Sequence, residues 1–129
     1  MEAMQKNAQL PAQFAKARNL VRRYALLRIL ARILEHDIAV VARASRPAPH
    51  GRLLRGAQDR ILLELTAIRV AFGASGIRLI HQQDAPHMRV TYRWGGGEHV
   101  FESRSNLRQE ALELLHGCLH ARGSGTAAG

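Results

Sequence analysis

From Ala12 to Ala44 the apolar residues Phe14, Leu20, Tyr24, Leu27, Leu34, Ile38 and Val41 recur mostly at steps of three and four, the period of an α-helix. A helix of about 33 residues is about 50 Å long at 1.5 Å per residue. A chain of 129 residues has use for such a rod only if something packs along its whole length. The pattern therefore demands a partner. Ser45-Arg46-Pro47-Ala48-Pro49-His50-Gly51 is expected to end the helix, because two prolines in three residues remove backbone donors and push the residues before them into extended conformations.

The partner follows at once. Leu54, Ile61, Leu65, Ile68 and Phe72 keep the helical period from about Arg52 to Phe72, with Gln58 as the polar member of the stripe and Gly73 and Gly76 as the stop. A short loop between two such helices returns the chain antiparallel, so the two form a helical hairpin over residues 12–72. The polar residues up to Pro11 are expected to fray.

After Gly76 the period drops from 3.6 to 2. Ile77 to Gln82 is one candidate strand, and Asp84-Ala85-Pro86 is a turn. Met88, Val90, Tyr92 and Trp94 then alternate with Arg89, Thr91 and Arg93. If Gly95 and Gly96 form a two-residue turn, which needs positive φ at both positions, the register of the next pairing is set. Val90 then faces Phe101 and Tyr92 faces His99 on one side, while Arg93 faces Glu98 and Arg89 faces Glu102 on the other.

A last helix over residues 106–121 opens with Asn106 and Gln109 spaced as a capping box, and Leu107, Ala111, Leu115 and Cys118 line its apolar face. Gly123 to Gly129 has the composition of a disordered tail. The expectation is a single α+β domain over residues 1–122, a long antiparallel helical hairpin followed by a small three-stranded antiparallel sheet at 77–103 and a C-terminal helix (ααβββα).

Several function classes lack a footing. The longest apolar runs, such as Ile38 to Ala42, fall far short of the ~20 residues of a membrane-spanning helix. Met1-Glu2-Ala3-Met4-Gln5-Lys6 lacks the apolar region of a secretory signal, so a cytoplasmic location is expected. Cys118 is alone, which rules out an intramolecular disulfide, and its place on an apolar stripe suits an inert thiol. His116 and His120 stand four apart on the last helix and could offer two ligands to zinc, but a third is missing. Glu35-His36-Asp37 fan apart by 100° per residue and do not converge. Gly95-Gly96-Gly97 joins two strands and opens no helix, so it is a hairpin turn and not a phosphate loop. No enzyme activity, cofactor, metal or small-molecule substrate is expected.

Charge is the remaining signal. The formal charge is +9, from 19 basic and 10 acidic residues. Residues 1–34 carry +6 of it, residues 35–76 carry +2 and residues 77–129 carry +1. Arg18, Arg22, Arg32 and Arg43 fall within one broad face of the first helix with Arg28 near its edge, and no acid lies between Glu2 and Glu35. These five arginines are the candidate contact for an anionic partner, nucleic acid above all. The sheet is expected to add little, since Arg89 and Arg93 are paired with glutamates.

The order of a helix, three strands and a helix resembles double-stranded-RNA-binding domains. Ala85-Pro86-His87 is similar to that family's Gly-Pro-x-His loop, and Ser105-Asn106-Leu107-Arg108-Gln109-Glu110-Ala111 to its Ser-Lys-Lys-x-Ala-Lys helix start. The likeness covers under half of the chain. Where the family carries a lysine cluster for phosphates, this sequence has Arg108 beside Glu110. The resemblance implies RNA binding.

A second expectation comes from apolar surplus. Ile29, Leu30, Ile33 and Val40 widen the apolar face of the first helix beyond the stripe that one partner helix covers. Either the sheet covers the excess or a second subunit does. The leading expectation is a small basic interaction module, non-enzymatic, self-associating as a homodimer through the hairpin. The alternative is nonspecific binding of a nucleic-acid backbone through the arginines of the first helix.

Overall fold

A computed structural model of the chain describes the backbone of residues 2–44, 48–84, 87–103 and 107–117, with side chains within 11–44, 51–84, 87–103 and 107–117. The elements run in the order α1 (Glu2–Arg43), α2 (Ala48–Ser75), β1 (Arg78–Gln83), β2 (Arg89–Trp94), β3 (Gly97–Glu102) and α3 (residues 107–117). This is the α+β architecture of helical hairpin, antiparallel sheet and final helix.

Both long helices exceed their expected lengths. The helix α1 starts at Glu2 instead of Ala12 and carries Pro11 inside it. Glu2-Ala3-Met4-Gln5-Lys6 and Ala8-Gln9-Leu10 are all strong helix formers, and Pro11 is exposed, where its missing donor is least costly. The second helix begins at Ala48 and not at Arg52. Pro49 therefore lies in the first turn of α2, where backbone N–H groups have no intrahelical acceptor and a proline removes nothing.

The end of α2 is a Schellman motif. Gly76 takes φ 71°, the Ile77 amide donates to the Phe72 carbonyl at 2.9 Å and the Gly76 amide to Gly73 at 3.4 Å. Phe72 and Ile77 are both buried, the apolar contact that accompanies this cap. Gly73, expected to share the stop, is helical.

The sheet has the order β1-β2-β3, antiparallel throughout. Gly95 and Gly96 have φ 62° and 79°, the double positive φ of a type I′ turn. The register that follows is the expected one: Arg89 with Glu102, Val90 with Phe101, Tyr92 with His99 and Arg93 with Glu98. The Ser103 amide donates to the Met88 carbonyl at 2.8 Å, one step past the end of the two strands.

The first strand departs from its simple alternation. Leu79 pairs with Tyr92 but His81 pairs with Thr91, so Ile80 is an extra residue in a β-bulge. The bulge resets the faces: Leu79 and Gln82 point to the covered side, and Arg78, His81 and Gln83 to solvent.

Contacts cluster in two units. One holds the chain through Ala25 together with Ala67–Ser103, and the other Leu26–Thr66 together with α3. In the first, Ala17, Val21, Tyr24 and Ala25 of α1 share a core with Ile68 and Phe72 of α2 and with Met88, Val90, Tyr92 and Phe101 of the sheet. In the second, Leu26, Leu27, Leu30 and Leu34 of α1 share one with Leu54, Ala57, Ile61 and Leu65 of α2 and with Leu107, Ala111 and Leu115 of α3. Early α1 goes with late α2 and late α1 with early α2, which is the antiparallel hairpin. Tyr24, Ala25, Leu26 and Leu27 are buried in succession. At 100° per residue they occupy most of the helix circumference, so α1 has no single buried stripe.

The proposed capping box at Asn106, the turn at Ala85 and Pro86, and Cys118, His120 and the 123–129 tail lie outside the described residues.

Candidate interaction surfaces

Three surfaces follow from this fold: the α1 arginines, the outer face of the sheet, and an apolar patch on α2. The covered face of the sheet shows how the first unit is held. Its inward row of Leu79, Tyr92 and His99 is closed by rings from α1: Phe14 lies 5.0 Å from His99 and 5.8 Å from Trp94, centroid to centroid. Tyr92 and His99 are 5.4 Å apart. The two Phe14 contacts seat the β2-β3 hairpin on α1, and tilted ring pairs of this kind add about 0.5–1.5 kcal/mol each beyond area burial. The His99 Nε2 lies 3.2 Å from the Trp94 carbonyl, which ties the ring to the hairpin backbone. Burial raises the pKa of the Tyr92 hydroxyl above its ordinary value, while the Arg18 guanidinium pulls it back down.

The α1 arginines do not share one environment. Arg18, Arg22, Arg32 and Arg43 are exposed, whereas Arg28 is half-buried with an Nε that is buried and has no hydrogen-bond partner. Arg22 and Arg32 each also engage another group of the chain. Arg18 and Arg22 belong to the first unit, and Arg28, Arg32 and Arg43 to the second.

The apolar surplus expected on α1 is mostly covered. Leu30 is buried and Ile29 and Ile33 are half-buried, leaving Val40 exposed. The adjacent leucines of α2 are the more exposed: Leu62 is 50% exposed and Leu63 71%, against 40% for Leu112 of α3. The Thr66 hydroxyl donates to the Leu62 carbonyl at 3.0 Å, so the polar atom beside them is already satisfied within the helix. Neither leucine is on the stripe of period 3.6, and a period count alone assigns them no role.

The outer face of the sheet keeps the expected pairings of Arg89 with Glu102 and Arg93 with Glu98 and adds a third arginine. Arg78 is the direct partner of Arg93 on β2, whose other neighbour is Glu98 on β3. All three are exposed. The sequence could not place Arg78 there, because the bulge at Ile80 and the β1-β2 connection leave the β1 register open. No group of three or more His, Cys, Asp or Glu residues is placed to hold a metal among the described residues, and His120 of the His116–His120 pair lies outside them. No helix among the described residues is long and apolar enough to cross a membrane.

The family described as YhjD protein matches residues 13–123, most of the chain, from within α1 through α3. The chain belongs to the YhjD family. Neither a curated protein nor a solved structure matches it. For this YhjD-family chain the surfaces above therefore have to speak for themselves.

Proposed function

We propose that this YhjD-family protein is a non-enzymatic interaction module that self-associates through α2 of its helical hairpin. The observation that carries the reading is the exposure of adjacent Leu62 and Leu63 beside the internally bonded Thr66. At 50% and 71% exposure, Leu62 and Leu63 each forgo half or more of the about 1.5–3 kcal/mol that full burial of a leucine supplies. A second copy presenting the same patch removes both pairs from water in one isologous contact. A cytoplasmic setting suits this reading, since a chain with one cysteine relies on apolar packing and not on disulfides.

Sedimentation velocity across micromolar concentrations tests it. Dimer for the unmodified chain and monomer for Leu62→Gln/Leu63→Gln, with unchanged helical circular dichroism, is the expected result. A monomer at every concentration removes the self-association.

A second reading, favoured by the exposure of Arg18 and Arg43 on α1, is nonspecific binding to a nucleic-acid backbone. Such binding weakens steeply with salt and is lost when Arg18, Arg22 and Arg32 are changed to Glu.

A further inference from the structure

We infer that the solvent face of the sheet carries a phosphate clamp for a nucleic-acid strand, formed by Arg78 and Arg93. The inference takes up the nucleic-acid reading but moves the contact from α1 to β1 and β2, and its test separates the two surfaces.

Directly opposed residues of an antiparallel pair have Cβ atoms about 5 Å apart, and like charges there destabilise the sheet. Arg78 and Arg93 are opposed in this way. Glu98, on the far side of Arg93, can offset one guanidinium and not both. The neighbouring rows differ: Arg89 sits between Gln83 and Glu102, and Thr91 between His81 and Val100. The uncompensated charge is thus localised at one end of the β1-β2 pair. A phosphodiester carries one negative charge and several acceptor oxygens, and two adjacent guanidinium forks can bind it together.

The face also tells against other occupants. A second copy gains little: a two-fold along β2 sets Arg78 on Glu98 but also Arg93 on Arg93 and Arg89 on Arg89, and a two-fold across the strands sets Glu98 on Glu102. The glutamates of β3 border the basic end on one side, which confines an anionic chain to the track of β1 and β2. The outward residues include no Phe, Tyr or Trp, and the one ring, His81, stands opposite Thr91 and not in the row of Arg78 and Arg93, so the clamp contacts the backbone and is independent of sequence.

The test is fluorescence anisotropy with a labelled single-stranded oligouridylate over a range of salt, on the full chain. Neutralising one clamped phosphate of a single strand contributes about −0.7 to the slope of log affinity against log salt. Arg78→Gln/Arg93→Gln is expected to lose that part of the slope and about tenfold or more in affinity at ~50 mM salt. Arg18→Gln/Arg22→Gln should lose under about threefold. Arg78→Lys keeps the charge but not the fork, so it should keep the salt slope while losing part of the affinity, and an unchanged melting temperature of the double variant shows that its loss is not unfolding. The clamp is overturned if the unmodified chain does not bind at ~50 mM salt, if the sheet variant binds as well as the unmodified chain, or if the α1 variant loses as much. Equal competition by polyglutamate of matched charge makes the ligand an acidic polypeptide and also overturns it.

Discussion

The Tyr24 hydroxyl of α1 donates to the Gln82 side-chain oxygen of β1 at 2.6 Å, across 58 residues of sequence. The Gln82 amide in turn donates to Asp84 at 2.8 Å. Gln82 reaches this position because the bulge at Ile80 turns it inward, opposite Val90. Without the extra residue, period-2 alternation places Gln82 in solvent and His81 against α1. The bulge thus exchanges a histidine for a glutamine at a buried junction and gives the otherwise buried Tyr24 hydroxyl an acceptor.

Tyr24→Phe leaves the Gln82 oxygen without its partner in a part-buried site and should cost about 1–3 kcal/mol. Tyr24→Phe combined with Gln82→Leu should cost less than the two single changes added together, since no orphaned group remains. Urea denaturation of the four proteins measures the coupling, and strictly additive losses mean that the bond contributes nothing.

Gly96, at φ 79°, lies where an L-residue is strained by about 1–3 kcal/mol. Gly96→Ala should lower stability by that order, while Gly95→Asn should be nearly neutral because asparagine tolerates the left-handed region of a type I′ turn. Thermal melts rank the two, and an equal effect counts against the I′ assignment.

Arg78→Glu replaces a like-charge cross-strand pair with an opposite-charge one. Both side chains are exposed, so the gain belongs at the low end of about 0.2–1 kcal/mol and should shrink with added salt. A lower melting temperature than that of the unmodified chain contradicts the β1-β2 register.

Tyr92 ties stability to alkaline pH. Its folded pKa is raised by burial, against an ordinary value of 10.0. Below that value the hydroxyl is protonated in both states and its share of stability is intact. As the pH rises further the unfolded chain loses the proton while the folded chain holds it, so stability falls until the folded pKa is passed. Tyr92→Phe should flatten this alkaline loss. Arg18→Gln, which removes the nearby positive charge, should move the tyrosine absorbance titration to still higher pH. A titration that does not move means that Arg18 does not act on this hydroxyl.

Local pattern carried much of the architecture. The 3.6-residue period marked Leu54, Ile61, Leu65, Ile68 and Phe72 of α2 and Leu107, Ala111 and Leu115 of α3, and all of them are buried. Gly95-Gly96 permits few turns, so the β2-β3 register could be derived pair by pair from the chain. Helix ends were less legible. The segment Ser45–Gly51 does mark the end of α1 at Arg43, whereas Pro11 lies inside α1 and Pro49 in the first turn of α2, because an exposed or first-turn proline breaks little.

The candidate surfaces divide the same way. Summing charge along the chain located the arginines of α1 but could not distinguish exposed Arg18 from half-buried Arg28, because burial depends on what packs against each turn. Nor could periodicity show that Leu30 is covered while Leu62 and Leu63 are not. The pairing of Arg78 with Arg93 and of Tyr24 with Gln82 rests on one bulged residue, Ile80. A bulge leaves almost no trace in a strand's composition, since Ile suits a strand in either register, and only packing the sheet on α1 selects which neighbours turn inward. Interactions between near neighbours are written in the order of residues, whereas contacts over tens of residues are chosen by the burial they jointly achieve.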